Sequence, residues 1–290
     1  MSVKVSSIGF FAVVVSMLMS GFANGADSGK FTYNPGDSLE YRGAQSIVTI
    51  IDLGVEGAPT VRTAGEMVKD VVIKKLRGKY VLTSTPVSSS YTVNGQQSVE
   101  PIFWVIANST EKSIVTKKGE IKKVTGYSEK VEEIKGNLDA ESLESYGDVL
   151  NEQYFIDVVT SNWDASVTYT LGKSTQKGTE WTHEMPMDGP NGEKWVSKVD
   201  NKVGASVSCN RSDKSRSCVE IFYVYKLDDK KNGPTDAVVS AKGKRIVDPN
   251  TMMIYLDETE MQMNASVTIQ GQTFYTKNSI KSEYTAELKQ

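Results

Sequence analysis

The chain has 290 residues, 33 basic and 36 acidic side chains, a formal net charge of −3 and 39% hydrophobic residues. That length suffices for one large all-β domain or two smaller ones, each with its own core. The mild acidity is spread along the chain, which argues against nucleic-acid binding, since that needs a basic patch or stripe.

The first segment reads as a cleavable export signal. Lys4 is its only charge, an apolar run over residues 8–19 is broken by Ser16, and small residues follow at Ala23 and Gly25. This pattern predicts cleavage near Gly25 and a chain delivered to the periplasm or secreted. No lipidation cysteine stands at the cleavage site, and no later apolar run reaches membrane-spanning length.

Beyond the signal, strand patterns dominate. Residues 46–53 and 61–76 carry β-branched runs, residues 79–86 follow Gly78, and residues 89–93 lead into Asn94-Gly95, a strong hairpin signal. The short apolar run at 102–106 is expected as a further strand, with others at 113–117 and 120–124. The mixed-sign charges between Lys112 and Lys135 suit a solvated surface. Helix signals then take over. Ser128 is a candidate cap for a short helix, and Asp139 caps a stretch with Leu143, Tyr146, Leu150, Tyr154 and Val158 at spacings of three and four.

Strands return at 179–185, 195–209, 218–227, 237–241 and 244–247. The C-terminus holds the clearest pattern. Met253, Tyr255, Met261, Met263, Ala265, Val267 and Ile269 share one parity, while Glu258, Glu260, Gln262 and Asn264 occupy the other. Gln270-Gly271-Gln272 supplies a turn. Phe274, Ile280, Tyr284, Ala286 and Leu288 then line one side of the return segment. Asp257 and Thr259 interrupt the apolar parity and predict a bend or bulge. The expected class is α+β, mainly antiparallel β, with long curved sheets or a half-barrel. The expected layout is a signal over 1–25, a β-rich half over 26–135, a helical segment over 136–165 and a second β-rich half over 166–290.

Cys209 and Cys218 flank an eight-residue loop with no apolar side chain. In an oxidising compartment this spacing predicts a structural disulfide clamping a hairpin. A redox-active pair would more often be spaced C-x-x-C.

Catalytic motifs are sparse. The single histidine, His183, lies in Trp181-Thr182-His183-Glu184 without a G-x-S-x-G elbow. One histidine and two hairpin cysteines cannot build a standard zinc site. Leu171-Gly172-Lys173-Ser174-Thr175 imitates the end of a phosphate loop, but Val167 stands where its first glycine belongs, so a strand-to-strand connection is expected. The aspartates at 228 and 229 resemble a calcium loop until Val239 takes the place of the bidentate glutamate. Asn108, Asn210 and Asn264 each head an N-x-S/T sequence. Glu132/Glu133 and Glu258/Glu260 are adjacent carboxylates with no spacing diagnostic of a glycosidase. No catalytic residue, metal or cofactor is expected.

What remains is the face formed by Met253, Tyr255, Met261, Met263, Phe274, Ile280 and Tyr284. It suits a plain hydrophobic core. The alternative is a concave surface for a lipid or acyl chain, since flexible methionines make adaptable binding surfaces.

Several pieces carry a resemblance: Tyr41-Arg42-Gly43, Gly119-Glu120-Ile121 with Val124-Thr125-Gly126, Gly178-Thr179-Glu180-Trp181, and a closing strand through Asp248, Thr251 and Ile254 before the long hairpin. Together they resemble bacterial exported proteins of domain families of unknown function. Their layout is similar to the periplasmic lipoprotein-carrier half-barrels, which bind acyl chains on a curved sheet. That likeness implies a non-catalytic envelope protein with a hydrophobic ligand. The alternatives are a structural or assembly protein of the envelope acting through protein contacts, and then a hydrolase.

Overall fold

A computed structural model describes the backbone of residues 38–52, 60–164, 170, 173–188, 194–209, 217–227, 237–249, 253–269 and 272–288. Within these, side chains are described except at 38–52, 148, 186–188, 194, 265, 267–269, 272–274 and 288. The expected export signal and its cleavage site lie outside the described residues.

The chain order is β1 (Ser38–Asp52), β2 (Thr60–Leu76), β3 (Lys79–Val93), β4 (Gln96–Gln97), α1 (Pro101–Asn108), β5 (Glu111–Thr116), β6 (Ile121–Thr125), α2 (Ser128–Asn137), α3 (Ala140–Tyr146) and α4 (Glu152–Trp163). It continues with β7 (Glu180–Asp188), β8 (Lys194–Ser208), β9 (Ser217–Leu227), β10 (Val238–Val247), β11 (Ile254–Ile269) and β12 (Gln272–Leu288). Every pairing is antiparallel, and the strands form one twelve-stranded sheet in the order β6-β5-β3-β2-β1-β12-β11-β10-β9-β8-β7, with β4 on β3.

The pairing of β1 with β12, from Leu39 opposite Leu288 to Asp52 opposite Tyr275, joins the two strand-rich halves. No described pairing links the edge strands β6 and β7, so the sheet does not close into a barrel.

Alternation of side chains gives this sheet an inner and an outer face. On β2 the inner face carries Met67, Val71 and Ile73; on β9 it carries Ile221, Tyr223 and Tyr225. β2 and β9 are five steps apart in strand order, about 24 Å on a flat sheet at ~4.8 Å per strand. Yet Val71 and Ile73 share one core cluster with Ile221 and Val247. The sheet is therefore strongly curled, and register shifts at Val68/Lys69, Val203/Ser206 and Ile246/Val247 add local twist.

The inside of the curl is filled in two ways. At one end, inner-face side chains meet one another around the Cys209–Cys218 disulfide. At the other, the helices fill the space with Ile102, Phe103, Ile106, Phe155 and Val159, joined by Leu150 from the link before α4. Trp163, at the end of α4, donates its indole N–H to the Gly119 carbonyl at 2.6 Å.

Several expectations change in detail. Residues 102–106 form a helix, because Glu100 accepts from the Phe103 amide at 2.6 Å as an N-cap and Pro101 occupies the first turn. The stretch capped by Asp139 breaks near Gly147 and restarts under a new cap, with Asn151 accepting from Tyr154 N at 2.9 Å. Tyr127, rather than Ser128, is the residue before α2. The segments 237–241 and 244–247 are one strand, β10. Of the connection expected at 171–175, residues 171–172 lie outside the described residues, and 173–175 stand between α4 and β7 in chain order rather than between two strands. At Asn94-Gly95 both residues have positive φ, as a two-residue hairpin turn requires.

Candidate functional site

Six of the seven apolar-face residues lie inside the curl; the side chain of Phe274 lies outside those described. Met261 and Met263, each 1% exposed, and Ile280 form a stripe with Val239 and Ala241, in the cluster that includes the helices. The register explains the stripe: Ala241 is opposite Met261, and Met261 is opposite Ile280. Met253, Tyr255 and Tyr284 lie in the other cluster, with Tyr80, Trp163 and the disulfide. The face read as one surface is thus divided between two cores, and the methionine part shares its core with helix side chains.

Between those parts runs a polar band. Asp257 and Thr259 point inward from β11 in unbroken register with β10, so they do not form the expected bulge; the shift lies between Ile246 and Val247. Tyr223, on β9, reaches across β10 to hydrogen-bond Asp257 and lies 2.5 Å from Thr259 Oγ1. It can do so because Gly243 intervenes: a Cβ there would overlap the phenol ring. The Arg245 Nε donates to Asp257 Oδ2 at 2.7 Å, and its guanidinium stacks 4.4 Å from the Tyr223 ring centroid. Sequence reasoning missed this band. Its available signal was two polar residues on an otherwise apolar parity.

His183 is also on the inner face, half-buried, with Nδ1 3.2 Å from Asn201 Nδ2. Burial first, then the charges of Arg245 and Lys173, push its pKa down to about 4. Both cysteines are in the disulfide, so neither is available as a nucleophile for it. Among the described residues no group of three or more His, Cys, Asp or Glu side chains could hold a metal ion. The 228–233 loop and Asn210 lie outside the described residues.

The first helix is fastened at both ends by buried ionisable groups. At its start, Glu100 accepts from Phe103 N, and the Tyr146 hydroxyl lies 3.5 Å from Oε1. Burial pushes the Glu100 carboxyl up to about 7, against the lowering effect of those hydrogen bonds. At its end, Lys69 on β2 reaches the Ser109 carbonyl at 3.5 Å. Burial lowers that ammonium to about 8, with Glu111 opposing. Between them, Phe103 sits on the β2 backbone at Gly65, where a Cβ would come within 2.7 Å of the ring.

The outer face holds a separate feature, a groove of about 720 Å³ lined by Glu66, Phe222, Val224, Lys242, Lys244 and Glu258, among others. Its charges are largely cross-strand pairs, including Lys242–Glu260 at 3.2 Å and Lys244–Glu258 at 3.1 Å. Phe222 is 43% exposed and Val224 38% exposed beside them.

Among the described residues no helix is long and apolar enough to cross a membrane. No family model matches the sequence, and no curated protein matches it. Among solved structures, the chain is similar at 13% identity to one described as lipid–protein interactions in lipovitellin, with a TM-score of 0.44 over 89% of this chain. It spans about a quarter (26%) of that lipovitellin chain. An outer membrane channel from Pseudomonas putida F1 is 7% identical, with a TM-score of 0.21 over 91% of this chain and 99% of that one. The Salmonella typhi OmpF structure in complex with daunomycin is 8% identical, with a TM-score of 0.24 over 88% and 99%. These similarities are too distant to carry a functional argument, and the architecture rests on the strand pairing itself.

Proposed function

We propose that this chain is an exported, non-catalytic envelope protein that holds the apolar part of a lipid or acyl chain between the inner face of its sheet and its helices. One observation carries the reading. The Met261–Met263–Ile280 stripe shares one apolar core with helix side chains such as Phe103, Phe155 and Val159, whereas its neighbours within the sheet are fixed by ladder hydrogen bonds. Helix side chains can part from that stripe without breaking a strand ladder, and methionine side chains repack around guests of different shape. The disulfide and the absence of a membrane-spanning helix among the described residues are compatible with export.

The test is native mass spectrometry and organic extraction of the purified protein, followed by titration with a fluorescent fatty-acyl probe. A stoichiometric bound lipid, or saturable probe binding displaced by unlabelled lipid, is expected. Absence of both would sink the reading.

A second reading follows from the outer groove. Phe222 and Val224 stand exposed beside charged rows, a mixed apolar and polar surface of the kind that protein partners cover. Photo-crosslinking from position 222 in the envelope would capture a defined partner under that reading and none under the first.

A further inference from the structure

The proposed lipid site contains a polar group that the fold does not use. Asn278 lies on the inner face of β12, 2% exposed, opposite Met263 on β11 and two residues from Ile280 along its own strand. Neither Oδ1 nor Nδ2 of its carboxamide has a hydrogen-bond partner. It lies within a regular strand pairing, so it serves neither as a helix cap nor as a turn residue. Leaving buried donors and acceptors unmade is costly, and a leucine would avoid that penalty. A carboxamide offers two N–H donors and one carbonyl acceptor from one point.

Resting on the lipid-binding reading, we infer that Asn278 is the polar anchor of that site, and that its ligand is an acyl chain ending in an uncharged amide or ester. The chain would run along Met261, Met263 and Ile280, with its carbonyl accepting from the Asn278 Nδ2. An amide ligand would also donate to Oδ1. The neutrality of the head group follows from the surroundings. Met263, Thr276 and Ile280 flank Asn278 on the inner face, while Lys277 and Lys281 lie on the opposite parity and are exposed. Among the described neighbours no cation stands beside a carboxylate buried here, an arrangement that low-dielectric surroundings strongly disfavour.

The experiment compares the full mature protein with Asn278→Leu and Asn278→Ala, using oleamide, oleate at pH 8 and the hydrocarbon 1-octadecene as probes. Asn278→Leu is expected to melt higher than wild type without ligand, because an unpaired amide has gone. It should bind oleamide about tenfold more weakly or worse, the loss of one good hydrogen bond, and bind 1-octadecene within about twofold of wild type. Asn278→Ala supplies the same affinity comparison should the leucine variant fold poorly. Wild type should prefer oleamide to oleate. Equal oleamide binding by wild type and both variants would overturn the anchor while leaving the lipid reading intact. It would mean that only water satisfies the amide. A preference for oleate would overturn the neutral head group. If wild type bound none of the three probes, both the anchor and the lipid reading would fall.

Discussion

Replacing Glu100 by glutamine isolates the contribution of one buried carboxyl to the seat of α1. In the folded protein burial raises this group from 4.5 to about 7. Because the folded pKa is the higher one, the stabilisation belongs to the protonated form. It is fully present below about pH 4.5 and is lost as pH rises through about 7. At about 1.4 kcal/mol per unit, the ionised carboxylate at pH 8.5 costs about 3 kcal/mol relative to the protonated one. Glutamine keeps an Oε1 acceptor for the Phe103 amide and cannot ionise.

Tyr91 and Tyr146, the titratable groups beside Glu100, are both raised by burial and stay protonated over this range, so they do not confuse the comparison. Urea denaturation followed by tryptophan fluorescence, at pH values from 4.5 to 8.5, measures the difference between variant and wild type. That difference is expected to be near zero at pH 4.5 and to grow to about 3 kcal/mol in favour of Glu100→Gln at pH 8.5. Parallel pH profiles for the two proteins would refute the reasoning, since they would mean that Glu100 is solvated or that α1 has left its seat.

Other substitutions probe the polar band and the disulfide. Gly243→Ala would place a methyl group into the Tyr223 ring and 2.5 Å from the Glu258 carbonyl. Loss of about 2–3 kcal/mol or more is expected by denaturant titration, and a stability within 0.5 kcal/mol of wild type, about the scatter of a neutral surface change, would show that Tyr223 does not cross there. Arg245→Met leaves Asp257 buried without its cation, and about 3–5 kcal/mol should be lost; adding Asp257→Leu should recover most of it, as calorimetry would show. Reducing Cys209–Cys218, nine positions apart, or replacing both by alanine, should lower stability by roughly 2–3 kcal/mol. A mobility shift on reduction without a change in the urea midpoint would contradict that. His183, pushed down to about 4, supplies stability that is present above about pH 6.5 and lost as pH falls through about 4. His183→Gln should remove that acid-side loss in a thermal-melt series.

Local periodicity and turn chemistry made much of the secondary structure legible. The parity of Met261, Met263 and Ile280, the Asn94-Gly95 turn, the Asp139 cap and the nine-residue separation of the cysteines each depend on neighbours in sequence. Where local signals competed, the reading slipped. The apolar run at 102–106 has the β-branched content of a strand, and only its Glu100 cap, Pro101 and the space above Gly65 make it α1. Asp257 and Thr259 read as a bend because their partners, Tyr223 and Arg245, come from strands 12 to 36 residues away.

By itself, then, the sequence determined a largely antiparallel β protein with a disulfide-clamped loop and a long C-terminal hairpin, because alternation, turns and loop spacing are short-range properties. Only the tertiary structure decided that β1 and β12 join both halves into one curled sheet, and that helix side chains share the core of the methionine stripe. It alone placed Asn278 unpaired beside that stripe and Glu100 out of water. Those features depend on pairings between residues up to 249 positions apart, from Leu39 to Leu288. Burial and polar satisfaction belong to the assembled fold, and no window of sequence contains them.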